Sequence, residues 1–352
     1  MKTLKDIAQS RFYREKTLEY LGMIPESILK HNRSDRPTDP KLVADGSVVK
    51  TKTEAVAKRL LHRIDPTQVK HFDLFRTSST GCRGKEGILS TFSQNICRFM
   101  VKFYTEDGDT VYDPFAGHNS RMESCWNTGR NYYGSDLSHN FMEFNRELRV
   151  FLLGKKEEEI FSTNNCDIVL NEGDSRHVPW PDDFADFSIT SPPYWDLEYY
   201  GDEEGQLGYR GNKAIPYEEF LEGLGDVLAE NKRMLKPGAF CAWNVNDFRK
   251  GGRFYDFHTD VILLGRKAGF DLHDMIIFDY GTPVAQAFLT QMMSRKVMAK
   301  RHEYCIIWRK PGGPSLIGVS TTEIANRLRK EMVDKIDAVE ITEKDIEMIL
   351  EE

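Results

Sequence analysis

A chain of 352 residues is long enough for one large or two modest domains with a sizeable core. Hydrophobic residues make up 40%, charged residues 29% and aromatics 11%, a globular balance that excludes collagen, disulfide scaffolds and wholly disordered chains. The 48 basic and 55 acidic residues give a net charge of -7, so any grip on nucleic acid must come from local patches.

In chain order, Met1 to Phe12 mixes Lys2, Lys5, Asp6 and Arg11 among its apolar residues and lacks the apolar core of a signal peptide. No run anywhere approaches the roughly 18 apolar residues of a membrane span. A cytoplasmic protein without membrane contact is the expectation. Residues 1–85 read as a mainly helical extension, with an amphipathic pattern from Leu4 to Leu21, a second helix around Thr53 to Leu61, and a polar loop from His31 to Pro40 between them. The Gly81 to Gly87 stretch has no apolar strand before it and reads as a linker.

From residue 86 to 312 short apolar runs alternate with helix-like stretches, the rhythm of a doubly wound sheet. Seven strands are expected: Thr110 to Tyr112, Tyr132 to Gly134, Ile168 to Leu170, Phe187 to Thr190, Ala239 to Val245, Met275 to Tyr280 and Tyr304 to Trp308. Ser138 can cap a helix ending at Gly154, and a helix from about Tyr217 stops at Lys236-Pro237-Gly238. Residues 313–352, a charged tail after Pro311 and Pro314, have helix-forming composition. The expected fold is α/β, a Rossmann-like seven-stranded doubly wound, mostly parallel sheet with helical N- and C-terminal extensions. The six cysteines show no CxxC pair or Cys/His spacing, which argues against zinc and structural disulfides.

Three strand ends carry the first constellation. Val111 to Gly117 supplies a strand, the acid Asp113 and a small-residue turn in which Gly117 lets a ligand approach the backbone. Asp136 stands nineteen residues after Gly117 at the end of the second strand, placed to accept both hydroxyls of a ribose. Asp174 in Gly173-Asp174-Ser175 follows the third strand and can receive an adenine amino group. Each acid alone is more often a cap, but their ordered recurrence outlines an adenosine pocket. No GxGxxG follows the first strand and no GxxxxGK[ST] occurs, which disfavours pyrophosphate. The fourth strand then ends in Ser191-Pro192-Pro193-Tyr194-Trp195. Two prolines remove two backbone donors and leave carbonyls free, the Ser191 hydroxyl and Pro192 carbonyl can hold an amino group's hydrogens, and the Tyr194 and Trp195 rings can stack on a planar base.

Asp113-Pro114-Phe115-Ala116-Gly117, Asp136, Asp174 and Ser191-Pro192-Pro193-Tyr194 resemble the successive motifs of S-adenosylmethionine-dependent DNA amino-methyltransferases. The resemblance runs from about Ile88 to Lys310 and takes in Leu235-Lys236-Pro237-Gly238 and His302-Glu303-Tyr304. It implies S-adenosyl-L-methionine as cofactor, held by Asp113, Phe115, Gly117, Asp136, Asp174 and Ser175, with Ser191, Pro192, Pro193 and Tyr194 as the catalytic set and no metal. Thr91-Phe92-Ser93 sits where the family places its methionine-contacting motif. The implied reaction is methylation of the exocyclic amine of a flipped-out DNA base, N4 of cytosine by the SPPY form; adenine N6, an RNA base, a protein glutamine and a catalytically idle DNA-binding subunit are the alternatives. The family's Gly-Ser-Gly-Thr turn is here Gly117-His118-Asn119-Ser120, in which Asn119 or His118 must replace a glycine.

DNA is the implied partner, and a second copy of the chain and a cognate restriction nuclease remain open. Phosphate contacts would come from Arg249, Lys250 and Arg253, around a Gly251-Gly252 loop expected to be mobile, and from Arg295, Lys296, Lys300 and Arg301. Sequence reading would fall to the first 85 residues, the Asp196 to Pro216 loop, the Thr282 to His302 connection and the tail.

Overall fold

The structure, a computed structural model, describes residues 27–30, 92, 94–117, 120–158, 166–197, 200–201, 203–211, 213–279 and 289–315. The expected helices at Leu4 to Leu21 and Thr53 to Leu61, the loop His31 to Pro40, the Gly81 to Gly87 stretch, the His118-Asn119 turn and the tail from Thr321 lie outside these residues.

The described strands are β1 (Ile28–Lys30), β2 (Thr110–Asp113), β3 (Asn131–Asp136), β4 (Ile168–Glu172), β5 (Ala185–Thr190), β6 (Tyr209–Arg210), β7 (Lys213–Ala214), β8 (Leu235–Val245), β9 (Phe248–Lys250), β10 (Arg253–Tyr255), β11 (Asp271–Asp279) and β12 (His302–Arg309). The helices are α1 (Gln94–Tyr104), α2 (Ser120–Asn127), α3 (His139–Glu158), α4 (Tyr217–Met234), α5 (Phe257–Lys267) and α6 (Leu289–Arg295). Eight strands form one sheet in the order β1-β11-β12-β8-β5-β2-β3-β4, parallel except for β12, which runs antiparallel to both neighbours. All seven expected strands are present, and the mostly parallel α/β architecture is as anticipated. The eighth, β1, pairs in parallel along the edge of β11 and is three residues long, too short to leave a periodic signal.

The central strands are apolar on both sides because helices cover both faces. In β5 every residue but Asp186 is buried. On α4 the buried Phe220, Leu224, Val227 and Leu228 recur at helical spacing and join Trp243 on β8 and Trp308 on β12 in one core. Each such side chain contributes about 1.5–3 kcal/mol by leaving water. The Lys236-Pro237-Gly238 stretch, expected as a stop before a strand at Ala239, instead lies within β8. Pairing with β5 starts at Leu235, breaks at an irregularity, and resumes at Phe240, so Pro237 sits where no ladder donor is required and Gly238 takes φ 85°. The helix after Ser138 likewise runs on to Glu158 rather than ending at Gly154.

The strand order reverses between β2 and β5, from which β3 and β4 lie to one side and β8 to the other. At such a switch point the loops leaving the carboxyl ends diverge and open a crevice. Among the described residues no helix is long and apolar enough to cross a membrane and no group of three or more His, Cys, Asp or Glu could hold a metal. The five described cysteines are buried and form no disulfide.

Candidate functional site

The crevice at the switch point is a cleft with about 1190 Å³ of empty space, part of it open solvent. Phe115, Gly117, Asp136, Asp174, Ser175 and all of Ser191 to Tyr194 line it. These residues come from four separate strand ends, so the fold brings together nine of the ten site residues chosen from sequence.

Asp113, the tenth, does not line the cleft. It is fully buried beneath it, where Arg121 Nε donates to Oδ2 at 2.5 Å, the Tyr132 hydroxyl to Oδ2 at 2.9 Å, Thr190 Oγ1 to Oδ1 at 2.7 Å and the Phe115 N–H to Oδ1 at 3.3 Å. One carboxylate thus ties β2 to β3, β5 and α2. Arg121 also donates to the Phe115 carbonyl at 2.5 Å, which fixes the turn leading to Gly117. A buried carboxylate at a strand end is costly unless it is fully hydrogen-bonded, and here it is.

Asp136 sits at the cleft wall. Its Oδ2 accepts the Gly117 N–H at 2.7 Å and its Oδ1 the Ser138 N–H at 2.9 Å, so it links the β2 turn to the start of α3. Gly117 itself adopts φ 40°, a left-handed conformation that a side chain would strain. Burial pushes the Asp136 pKa up to about 6, against the opposing pull of the Ser138 and Gly117 N–H groups. Each carboxylate oxygen keeps one further acceptor site. Asp174 is also partly desolvated, but the Arg176 guanidinium outweighs that and holds its pKa below the usual value, donating from Nε to Oδ1 at 2.9 Å and from Nη2 to Oδ2 at 2.5 Å. The Ser175 hydroxyl is engaged with the Pro114 carbonyl at 2.5 Å, so it joins the first and third strand ends instead of facing the cleft as a donor.

Past β5, Pro192 is buried and Tyr194 reaches the cleft with its ring edge-on to Phe257, centroids 6.0 Å apart. Trp195, expected beside Tyr194 as a second stacking ring, does not line the cleft. Its backbone turns into the left-handed region at φ 46°, and its indole packs among Tyr217, Phe248 and Tyr255 and donates to the Ile215 carbonyl at 2.8 Å. The space is tight enough that a Cβ on Gly208 would lie 2.2 Å from the Trp195 carbonyl oxygen. An aromatic of this size gains more from burial than from a solvent-facing cleft, which the motif alone does not reveal.

Several lining residues were missed from sequence. Leu137 and Phe141 give the Asp136 end an apolar wall, and Asn244, Glu303 and Phe278 close the other end. Asn244 did leave a signal, a polar residue near the carboxyl end of an otherwise apolar buried strand. Arg121 left one too: a cation in the first turn of a helix opposes the dipole and calls for a buried acid. Phe92, from the Thr91 to Ser93 segment, lines the cleft as well, edge-on to Phe278 at 6.4 Å. The segment containing β6 and β7, offered for sequence reading, contributes Gln206 and Leu207 from its start.

The basic clusters are partly consumed by the fold. Gly251-Gly252 forms the tip of the β9-β10 hairpin, with φ values of 57° and 85°, instead of a mobile loop. Lys250 pairs with Asp196 and lies 4.1 Å from the Trp195 ring centroid, while Arg249 and Arg253 rest over Phe254 and Tyr255. Lys300 donates to the Asp247 carbonyl and Arg301 to the Asp279 carboxylate, which leaves Arg295 and Lys296 as the exposed cations of that cluster without such a role.

Comparison with known proteins places this cleft in context. The sequence matches the N6/N4 class of DNA methylase over residues 10–147 and 185–349, most of the chain and beyond the 86–312 span expected for a catalytic domain. A curated relative, the type II methyltransferase M.SmaI of Serratia marcescens, is 29% identical over 99 residues, which take in 27% of this chain and 32% of that protein. The match therefore spans about a third of the relative. A solved structure of a Thermus thermophilus protein assigned as a DNA modification methylase, in complex with S-adenosyl-L-methionine, is 31% identical over 42% of this chain and 58% of its own, with a TM-score of 0.30.

Proposed function

Because the chain belongs to the N6/N4 DNA methylase family, we propose that it transfers a methyl group from S-adenosyl-L-methionine to the exocyclic amine of a flipped-out DNA base, N4 of cytosine. The observation that carries this reading is the convergence on one cleft of Asp136, Asp174 and the Ser191 to Tyr194 turn, three features far apart in sequence. The residues fit the cofactor. Asp136 can accept both ribose hydroxyls with the acceptor sites that Gly117 and Ser138 leave, and Asp174, held ionised by Arg176, can accept the adenine amine. Phe115, Leu137 and Phe141 supply an apolar surface for the ring.

When bound, the cofactor supplies a methyl group activated by its sulfonium. The protein's part is to prepare the amine. Its nitrogen lone pair is delocalised into the base, and acceptors drawing on both N–H bonds favour the tetrahedral form found only in the transition state. The Ser191 hydroxyl and the Pro192 carbonyl are those acceptors. Pro192 and Pro193 present no competing backbone donors, and the buried Trp195 anchors the turn from behind. Tyr194 stacks on the base, which must leave the duplex to reach the cleft. Oriented contact between amine and methyl accounts for the remaining barrier reduction.

The test is to incubate the protein with unmethylated plasmid and cofactor, digest the DNA to nucleosides and weigh them. N4-methylcytosine is expected. N6-methyladenine would move the assignment to the other base, and unmodified DNA despite cofactor binding would favour an idle subunit.

A further inference from the structure

We infer that Asn244 and Glu303 form the seat for the α-ammonium group at the amino-acid end of the methyl donor, an inference that rests on the cofactor reading above. Asn244 lies near the carboxyl end of β8 and Glu303 near the start of its antiparallel neighbour β12, and both line the cleft. Asn244 is only 5% exposed, and its Nδ2 donates to Glu303 Oε2 at 2.5 Å. That bond orients the amide, because a carboxylate repels the amide oxygen and draws the nitrogen. Asn244 Oδ1 is left buried with no hydrogen-bond partner. A buried orphan acceptor is costly, and its persistence at a cleft wall calls for a ligand donor.

The pair therefore offers the ligand a carboxylate and a carbonyl, two acceptors, one of them charged. A base edge is a poor occupant: the ring atoms flanking the amine include N3 in cytosine and N1 and N7 in adenine, all acceptors, and they would face Glu303 unfavourably. An ammonium group, with three donors and a positive charge, matches both. The carboxylates lining the cleft among the described residues are Asp136, Asp174 and Glu303. The first two stand at the β3 and β4 ends, suited to adenosine, while Glu303 is on β12, across β2, β5 and β8 in the sheet. The donor's two chemically distinct ends thus meet acids at opposite ends of one cleft. Phe92 and Phe278, edge-on beside Glu303 in the cleft, keep the local dielectric low and strengthen such a contact.

Calorimetry with two ligands tests this. S-adenosylhomocysteine keeps the ammonium group; 5′-methylthioadenosine lacks the whole amino-acid end. Glu303→Gln should weaken S-adenosylhomocysteine roughly 10- to 100-fold, the value of one lost charge-assisted hydrogen bond, and leave methylthioadenosine within about twofold. Retained methylthioadenosine binding also shows that the variant is folded. Parallel loss of both ligands, or no change in either, overturns the inference. If the unaltered protein binds neither ligand, the cofactor reading falls and this inference with it, an outcome distinct from failure of the ammonium seat alone.

Discussion

The two halves of the cleft are built by different physical means. On the β2, β3 and β4 side, acids at strand ends are pinned by backbone N–H groups or an arginine, as with Asp136 under Gly117 and Ser138 and Asp174 beside Arg176. On the β5 and β8 side, shape comes from packing: proline-stiffened backbone, Trp195 wedged among aromatic rings, and a glycine at position 208 that admits its carbonyl. The first half is an electrostatic template for a ligand of fixed chemistry. The second is a steric frame for an amine that must be held and then released. Substitutions on the two sides should therefore fail differently, one in cofactor affinity and the other in turnover.

The largest expected effect is on the electrostatic side. Asp136→Ala removes both acceptors for the ribose and should cut S-adenosylhomocysteine affinity at least about 100-fold, taking roughly 1.5–3 kcal/mol per hydrogen bond to a charged group. Calorimetry checks this, and an unchanged affinity would place the ribose elsewhere. Next comes the frame. Tyr194→Ala should lower turnover on DNA by about 100-fold, at the upper end of the value of base-aromatic stacking, with cofactor affinity within about twofold. A parallel loss of cofactor affinity would erase the distinction between the halves.

A third test uses pH and reads the electrostatic side alone. The ribose needs the ionised form of Asp136, whose pKa is pushed up to about 6 in the free protein. Cofactor affinity should then be level above neutrality and fall on acidification through pH 6, by about tenfold at pH 5, as the carboxylate protonates. The linkage to stability has the opposite sense. The folded chain holds a proton that the unfolded chain releases near pH 3.9, so this group's contribution to stability is full below that pH and is lost as pH rises through 6. A cofactor affinity that rose on acidification would refute the assignment of Asp136. The smallest effect belongs to Trp195→Phe, which deletes the hydrogen bond to Ile215 while keeping a ring in place. About 1 kcal/mol of stability should be lost in denaturant melts, with cofactor affinity unaffected.

The same contrast governs what the sequence could reveal. Strands β2, β3 and β4 and their terminal acids were legible because hydrophobic runs ending in Asp follow a local rule that the sheet converts directly into a shared edge. The packing half was legible only as a motif. Ser191 to Tyr194 face the cleft, but the burial of Trp195 depends on Tyr217, Phe248 and Tyr255, which become neighbours only after folding. The internal roles of Lys250 and Lys300 were hidden for the same reason, since Asp196 and Asp247 lie 54 and 53 residues away along the chain. The hairpins β6-β7 and β9-β10 have strands of two or three residues, and β1 has three, below what periodicity can detect. Asp113 shows a subtler limit. Its position was read as ligand-facing, yet its acceptors are taken by Arg121, Tyr132 and Thr190, so the strand-end acid serves the site by holding its floor.

The most direct test is a crystal structure of the protein soaked with S-adenosylhomocysteine. The account predicts the ribose hydroxyls on Asp136, the adenine amine at Asp174 and the sulfur turned toward Pro192. A ligand lodged away from the switch-point cleft, or lying in it with the sulfur pointing away from Pro192, would contradict it.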